Sequence, residues 1–324
     1  MSFFGGGTDF PEYYRQHGGQ VLSTTFNKYC YISCRRLPPF FEHRHRIVHS
    51  VVENVINVSE IKHPAVRAIL SDYEKGFGFE IHHDGDLPAR SGLGSSSSFV
   101  VGLVNALRGM EGKISSKSYL ANEALRYEQD VLAETVGSQD QIAAAYGGFN
   151  NIVFNLDGSH SVNPLIAGVD RLSRLNDNLI LFFTGLTRFS SEIAKEQKNN
   201  TSQNTTSLSE MSDQVDYAMN ILANDQVSLD EFGMLMDQAW VLKKSLSGHV
   251  STAFIDDVYE TAIKAGAIGG KVLGAGGGGF MLFYAKQQYH KKISDMLKPL
   301  IRIPFRFESS GSSIVLYVPE EYNE

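Results

Sequence analysis

Apolar and polar positions alternate at several places in the first hundred residues of this chain. β-Branched and aromatic side chains gather at residues 21–33, and aromatic or branched residues alternate with polar or small ones at 77–81. A period of two residues is typical of strands. Beyond a glycine and four serines, apolar residues recur at helical spacing over 99–107. The pattern therefore predicts a sheet, followed by a glycine-rich loop that enters a helix.

Helical spacing dominates the rest of the chain. Further helices are predicted over residues 119–134, 139–146, 215–222, 229–246, 253–265 and 287–297. Strands are predicted at 179–184, on both sides of a glycine turn within 271–284, and near Phe305 and Val315. The polar, low-complexity stretch 199–207 is typical of a mobile loop or of a connection between helices.

Length and composition limit the classes of protein to which this chain can belong. With 324 residues the chain is long enough for two packed domains, because a single core usually stops growing before that length. Hydrophobic residues make up 42% and charged residues 20%, which excludes disorder throughout. The net charge of −7 gives no general attraction to nucleic acid or anionic membranes, and no apolar run is long enough to span a bilayer. We therefore expect a cytoplasmic protein without nucleic-acid or membrane partners.

The most informative segment, LPARSGLGSSSS at residues 87–98, joins a predicted strand to a predicted helix. Its glycines let the backbone approach a ligand, and the free N–H groups and dipole at the helix start attract an anion. Serine hydroxyls add donors, and one of them can bind magnesium. A Walker A loop would need a lysine here, and Ser97 replaces the third glycine of a dinucleotide loop. The alternative is a serine-rich helix cap without a ligand.

Two further glycine clusters flank this segment. Residues 274–279 match G-x-G-x-x-G formally, but a strand-like run at 280–284 follows them, so a hairpin fits better than a dinucleotide site. The cluster is either a plain turn or a place where another backbone or a phosphate packs closely. Near the start, GGGTDF contains Asp9, whose carboxylate can accept hydrogen bonds from sugar hydroxyls.

In this order and separation, the three segments resemble the three signature motifs of the GHMP kinases, the superfamily of galactokinase, homoserine kinase and mevalonate kinase. Among its members, FFGGGTDFPEYY, DLPARSGLGSSSSFVVGLVNAL and KVLGAGGGGFMLFYA most resemble bacterial D-glycero-D-manno-heptose 7-phosphate kinases. The resemblance implies ATP-dependent phosphorylation of the anomeric hydroxyl of that heptose phosphate. The alternatives are a kinase of an unphosphorylated sugar, such as galactose, and a catalytically impaired nucleotide-binding protein.

The resemblance also implies a fold and a set of ligands. The fold class is α+β, with a domain like ribosomal protein S5 domain 2 over residues 1–165 and a ferredoxin-like domain over 166–324. The active site lies between the two domains. The implied cofactors are ATP and Mg²⁺, and the implied partner is a small-molecule sugar phosphate, bound by a monomer or homodimer.

Single residues take their roles from the matching positions. Ser96, the second serine after Gly94, and Glu128 match the two magnesium ligands, and Asp140 matches the catalytic aspartate 12 residues beyond Glu128. The residues implied to bind ATP are Pro88, Arg90, Ser91, Gly92, Leu93, Gly94, Ser95, Ser96, Ser97, Gly276 and Gly277. The residues implied to bind the sugar are Gly7, Thr8 and Asp9.

A sugar that already carries a phosphate needs a basic pocket away from the reacting hydroxyl. Arg188, after the strand at 179–184, is the first candidate for this role, and Lys244, beside Lys243 on a predicted helix, is the second. Each of these side chains can equally be a solvated surface charge.

Asp140 is expected in the first turn of a helix that Ser138 caps, where the helix dipole keeps its carboxylate ionised. It can then accept the sugar hydroxyl proton, although alignment and neutralised phosphate charge lower most of the barrier. One departure concerns the basic catalytic residue of the superfamily, whose matching position falls immediately before Met1. Either the start of the chain is truncated, or part of the transition-state stabilisation has been lost.

Overall fold

The structure, a computed structural model, describes residues 1–73, 76–89, 91–186 and 190–319, which form three sheets with helices packed on them. The strands are β1 Ser2–Phe4, β2 Gly19–Phe26, β3 Cys30–Leu37, β4 His45–Val48, β5 Val52–Val55, β6 Gly78–Gly85, β7 Phe149–Phe154, β8 His160–Pro164, β9 Leu179–Phe183, β10 Gly269–Val272, β11 Phe280–Tyr284, β12 Ile301–Ile303 and β13 Phe307–Glu308. The helices are α1 Pro11–His17, α2 Pro64–Tyr73, α3 Ser95–Met110, α4 Lys117–Leu125, α5 Gln139–Tyr146, α6 Val169–Asn178, α7 Ser190–Asn199, α8 Thr205–Ala223, α9 Asp230–Ser245, α10 Ala253–Ala265 and α11 Gln287–Met296. A single 3-10 turn, Val58–Glu60, precedes α2, and a π-helical turn, Arg126–Val131, follows α4.

The first half of the chain builds two sheets around one core. The strand orders are β1-β2-β7-β8 and β3-β6-β4-β5, and the pairing of β4 with β6 is the parallel one. Helix α3 buries Val100, Leu103, Val104 and Leu107 in this core, because residues three and four apart share one face of a helix. The loop before α3 is thus anchored by a fully buried helix face.

The second half forms an antiparallel sheet in the order β10-β11-β9-β12. Its strand β11 is buried at every position, and its alternate residues belong to different cores. Phe280, Leu282 and Tyr284 pack in one apolar cluster, whereas Met281 and Phe283 pack in another. Helices therefore cover both faces of this sheet, which explains the unbroken apolar run.

The two halves share strands and core residues. Phe3 and Phe4 of β1 pack in the same cluster as Phe232 of α9, and rings of Phe3 and Phe232 lie 5.3 Å apart between centroids. Near the other end, β13 pairs with β2, with Phe307 opposite Phe26. The division at residue 165 stays a prediction, and the segment at β13 packs with the first half.

Most of the predicted elements are present. The hairpin within 271–284 is confirmed, since β10 and β11 pair on either side of a glycine turn. The closing strand near Val315 is wrong: within the described part of the chain, residues 313–319 form no strand. Within the stretch 199–207, residues 200–204 connect α7 to α8, and residues 205–207 already belong to α8. None of the helices in the described ranges is long and apolar enough to cross a membrane.

Replacing Gly279 with alanine should destabilise the protein more than replacing Gly185. Both glycines have positive φ, at +85° and +75°, so both substitutions strain the backbone. A Cβ at Gly279 would lie 2.1 Å from the carbonyl oxygen of Ser91, whereas a Cβ at Gly185 meets nothing within 4 Å among the described residues. We expect Gly279→Ala to lower the free energy of unfolding by at least about 2 kcal/mol more than Gly185→Ala, as measured by urea denaturation. Equal losses of unfolding free energy in the two variants would mean that the loop carrying Ser91 moves aside without an energetic penalty.

Candidate active site

The segment 91–94 leads into α3 as an anion-binding loop should. Gly94 takes the left-handed conformation at the N-cap, with φ of 69°, and the amide of Ser98 makes the first helical bond to its carbonyl at 2.9 Å. The amides of Ser95, Ser96 and Ser97 therefore have no carbonyl acceptor within the helix. Backbone donors and the helix dipole converge there, as the sequence predicts for a phosphate site.

The glycine turn at 273–279 backs this loop from the other half of the protein. A Cβ at Gly274 would lie 2.5 Å from Cα of Gly92, and a Cβ at Gly92 would lie 2.8 Å from the carbonyl oxygen of Leu273. Of the alternatives left open by the sequence, the close approach of another backbone is confirmed. Gly277 instead donates its amide to the carbonyl of Val250 at 2.9 Å, so ATP binding by Gly276 and Gly277 stays a prediction.

Glu128 is buried beside the start of α3. Its Oε2 accepts hydrogen bonds from Ser97 Oγ at 2.9 Å and from the amide side chain of Gln141. Burial raises the pKa of Glu128 to about 7, against the lowering effect of these two bonds. Its other oxygen, Oε1, is buried and has no hydrogen-bond partner among the described residues.

The serine that contacts Glu128 is Ser97, which directly follows Ser96, the serine expected to bind magnesium. The side chain of Ser96 is exposed, and the described contacts include no bond from it to Glu128. Successive helical residues point about 100° apart, so only one of two neighbouring serines can face the carboxylate. The role of Ser96 at a metal ion stays a prediction.

Asp9 fastens the first glycine cluster to the start of α5. Its Oδ1 accepts from the amide of Gly7 at 2.9 Å, and its Oδ2 accepts from the amide of Gln139 at 3.2 Å. A Cβ at Gly137 would lie 1.9 Å from Oδ2, so only glycine fits at that place. Burial raises the pKa of Asp9 to about 6, and the charge of nearby Asp140 adds to the increase.

Thr8 has a structural role in this cluster. Its hydroxyl lies 2.8 Å from the carbonyl oxygen of Gly5 and 2.9 Å from that of Gln20, and it accepts from the amide of Gln20 at 3.1 Å. A hydroxyl has one proton to donate, and that proton is already used inside the protein. The binding of the sugar by Thr8 stays a prediction, in which the hydroxyl proton takes no part.

Asp140 lies in the first turn of α5 and next to the anion-binding loop. A Cβ at Gly94 would lie 3.1 Å from its Cγ, so loop and carboxylate are in contact distance. Ser138 makes no cap bond, because its hydroxyl accepts from the side chain of Gln129 at 3.0 Å. Desolvation by the surrounding protein raises the pKa of Asp140, opposed by the α-amino group of Met1 and by Lys243, although the residue keeps an exposed surface. The expectation that the helix dipole keeps this carboxylate ionised stays a prediction.

Similarity to known proteins agrees with this arrangement of loop and carboxylates. The chain is 32% identical to the D-glycero-alpha-D-manno-heptose 7-phosphate kinase of Campylobacter jejuni over 307 residues, which cover 88% of this chain and 86% of that protein. Residues 59–148 match the model of the GHMP kinases N terminal domain, and residues 223–298 match the GHMP kinases C terminal model. The chain belongs to the GHMP kinase family. It is an ATP-dependent phosphotransferase of the α+β class, as the sequence predicted.

Solved structures show the same GHMP kinase fold. A D-glycero-D-manno-heptose 1-phosphate kinase from Bacteroides thetaiotaomicron superposes with a TM-score of 0.77 at 24% identity, covering 96% of this chain and 94% of that one. The mevalonate kinase of Methanococcus jannaschii superposes with a TM-score of 0.70 at 20% identity, covering 95% of each chain. The fold is thus common to GHMP kinases that differ in the substrates they are named for.

Two adjacent lysines on α9 of this GHMP kinase have different surroundings. Lys244 is exposed on α9 and pairs with Asp256, with Nζ 3.4 Å from Oδ1. Its neighbour Lys243 is buried and interacts electrostatically with Asp9 and Asp140. The structure therefore brings Lys243, and not Lys244, to the carboxylates. Arg188, like the loop residue Arg90, lies outside the described residues.

A second buried lysine, Lys271, lies near Lys243. Lys271 of β10 donates from Nζ to the carbonyl of Phe3 at 2.7 Å, and burial lowers its pKa far below the ordinary value. Neither buried lysine was expected. For Lys243 a signal existed: it continues the buried stripe of α9 that contains Phe232, Met236 and Trp240.

Glu128→Gln should stabilise the metal-free kinase at high pH. The folded-state pKa of about 7 lies above the ordinary 4.5, so between these values the unfolded chain has already lost this proton while the folded protein keeps it. Stability therefore falls as the pH rises from 4.5 to 7, and the full loss is present above pH 7. We expect Glu128→Gln to raise the free energy of unfolding by up to about 3 kcal/mol at pH 8 and to have little effect near pH 5. Urea denaturation in the presence of a chelator measures both values.

Glu260→Gln, at an exposed glutamate of α10, is the matched control and should show no such pH dependence. A constant difference between wild type and Glu128→Gln from pH 5 to pH 8 would contradict the assignment of a strained, buried carboxylate.

Proposed function

We propose that this GHMP kinase transfers the γ-phosphoryl group of ATP to the anomeric hydroxyl of D-glycero-D-manno-heptose 7-phosphate. The product is the 1,7-bisphosphate, a precursor of nucleotide-activated heptose for surface polysaccharide. One observation carries the chemistry: the carboxylate of Asp140 touches Gly94, where the anion-binding loop enters α3. The choice of sugar is supported by the 32% identity, over most of both chains, with a heptose 7-phosphate kinase.

In the proposed reaction each of these groups has a separate task. The loop amides hold the phosphates of ATP in line with the sugar, and Asp9 accepts hydrogen bonds from sugar hydroxyls. The anomeric oxygen forms a bond to the γ-phosphorus as the bond from that phosphorus to the bridging oxygen breaks, releasing ADP. Asp140 accepts the proton of the anomeric hydroxyl and later returns it to solvent.

The residues present fit a magnesium ion at Glu128. Oε1 of Glu128 is a buried oxygen without a partner among the described residues, and magnesium prefers oxygen ligands. Ser96, at the start of α3, is the second ligand that we propose, with Ser97 holding the Glu128 carboxylate in place. When bound, Mg²⁺ neutralises charge on the β- and γ-phosphates.

The phosphate at the far end of the sugar needs its own cation. Lys244 already pairs with Asp256, which leaves Arg188 as the first candidate from the sequence. An arginine holds phosphate through two parallel hydrogen bonds, and this favours it over a single lysine. A kinase of unphosphorylated sugars remains the second candidate function, and it requires no such cation.

Asp140→Asn should lower kcat at least about a hundredfold while the Kd of ATP changes little, because a positioned proton acceptor is lost and the loop is kept. Steady-state kinetics and calorimetric titration with ATP measure the two quantities. Turnover close to wild type would show that Asp140 is structural. Absence of turnover in the wild type itself, with ATP binding intact, would support a catalytically impaired nucleotide-binding protein.

Arg188→Ala should raise KM for heptose 7-phosphate at least about tenfold and leave KM for ATP nearly unchanged, since a bidentate contact to phosphate is removed. The unphosphorylated heptose is the matched control substrate, because it has no phosphate to lose. A coupled ADP-release assay over both heptoses and galactose gives these constants. If unphosphorylated sugars are turned over as well as heptose 7-phosphate, the sugar-phosphate assignment fails and the kinase assignment survives.

A further inference from the structure

Lys243 is a buried cation that the proposed mechanism has not used. It lies in the last turn of α9, and its Nζ donates to the carbonyl of Val272 at 2.9 Å and to the carbonyl of Gly274. These bonds use two of the three N–H groups of an ammonium. Both carbonyls belong to the end of β10 and the glycine turn, so the lysine joins α9 to that turn.

The glycine turn is itself in contact with the anion-binding loop. Gly274, whose carbonyl Lys243 binds, packs its backbone against Gly92 so closely that a Cβ would lie 2.5 Å from Cα of Gly92. Two residues on, Gly94 contacts Asp140. A continuous path therefore runs from the ammonium group to Gly274, across to Gly92, along the chain to Gly94 and on to the carboxylate that accepts the proton.

The charged groups around this path are buried, except for Asp140, which keeps an exposed surface. Asp9 and Asp140 interact electrostatically with Lys243, and the α-amino group of Met1 interacts in the same way with Asp140. Glu128 and Lys271 are the further neighbours, of like charge to Asp140 and to Lys243 respectively. Burial lowers the pKa of Lys243 to about 8, while the two aspartates raise it, so the lysine and the carboxylates stabilise one another's charged forms.

We propose that Lys243 is a positioning residue: it fastens the glycine turn beneath the anion-binding loop and supplies the positive charge that keeps Asp9 and Asp140 ionised. The inference rests on the role proposed for Asp140. Two effects of the Lys243 side chain can be measured separately. Its hydrogen bonds to the glycine turn affect the binding of ATP, and its positive charge affects the pKa values of the two carboxyl groups.

Lys243→Met should therefore change two kinetic quantities. KM for ATP should rise several-fold, because the turn loses its tie to α9. The acid limb of the pH profile of kcat/KM for the sugar should move up by about one pH unit, since removing a neighbouring cation raises the pKa of a carboxyl group. Lys243→Arg keeps the charge and should return the acid limb to its wild-type position.

Lys271→Met is the matched control, because Lys271 is equally buried and also bonds a main-chain carbonyl. Both methionine variants should melt at lower temperature, but only Lys243→Met should shift the acid limb. An acid limb that stays in place in Lys243→Met, or moves equally in both variants, would overturn the proposal. Such a result with Asp140→Asn inactive leaves the role proposed for Asp140 intact, whereas an active Asp140→Asn removes that role.

A second measurement covers the case in which Lys243→Met does not fold. The side-chain signal of Lys243 can be identified in ¹³C-lysine NMR spectra of the wild type by its absence from Lys243→Arg. Its titration midpoint should fall in Asp9→Asn, because one of the carboxylates that favour the ammonium form is gone. A midpoint that does not move would contradict the charge coupling without any use of activity.

Discussion

Two stretches of backbone meet without side chains between them where the anion-binding loop lies on the glycine turn. At Gly92, Gly274 and Gly279, a single added carbon would come within 3 Å of the opposing chain. This close approach sets the position of the loop, and hence of the free amides that open α3. The rest of the site is arranged around it: Asp140 touches the loop from one side, and Lys243 holds the turn from the other.

The same packing buries several charged side chains, and this has an energetic consequence. Asp9, Lys243 and Lys271 are buried within one region, whereas Asp140 beside them keeps an exposed surface. Desolvation is the largest cause of the pKa change at each of the four groups, and attraction to opposite charges offsets part of it at Lys243 and Asp140. Such a site is costly to fold when empty, and binding of a ligand with matching charge relieves that cost.

The sequence patterns correctly predicted those features that depend on residues close together in the chain. The buried face of α3, the hairpin around the glycine turn and the start of α5 at Gln139 follow from periodicity and glycine placement. The interval between Glu128 and Asp140 pointed to two acidic residues that the structure does place near each other. These features depend on neighbours in the sequence, so a single chain reveals them.

Other features depend on how distant elements dock, and the sequence could not show them. Whether Lys243 or Lys244 faces the carboxylates depends on the rotation of α9 against β10. Whether Ser96 or Ser97 meets Glu128 depends on the rotation of α3 in the same way. The pairing of β13 with β2 joins residues about 280 positions apart, and no periodicity records such a contact.

The π-helical turn at Arg126–Val131 allows one helical segment to face in two directions. Its wide winding closes with the amide of Leu132 on the carbonyl of Tyr127 at 2.9 Å, five residues back. The hydroxyl of Tyr127 reaches Asp72 on α2 at 2.7 Å, while the adjacent Glu128 turns inward to Ser97. An extra residue in one turn rotates the following residues about the helix axis, compared with a regular α-helix. This wide turn accommodates a structural contact, made by Tyr127, and a metal-ligand candidate, Glu128, at adjacent positions of the chain.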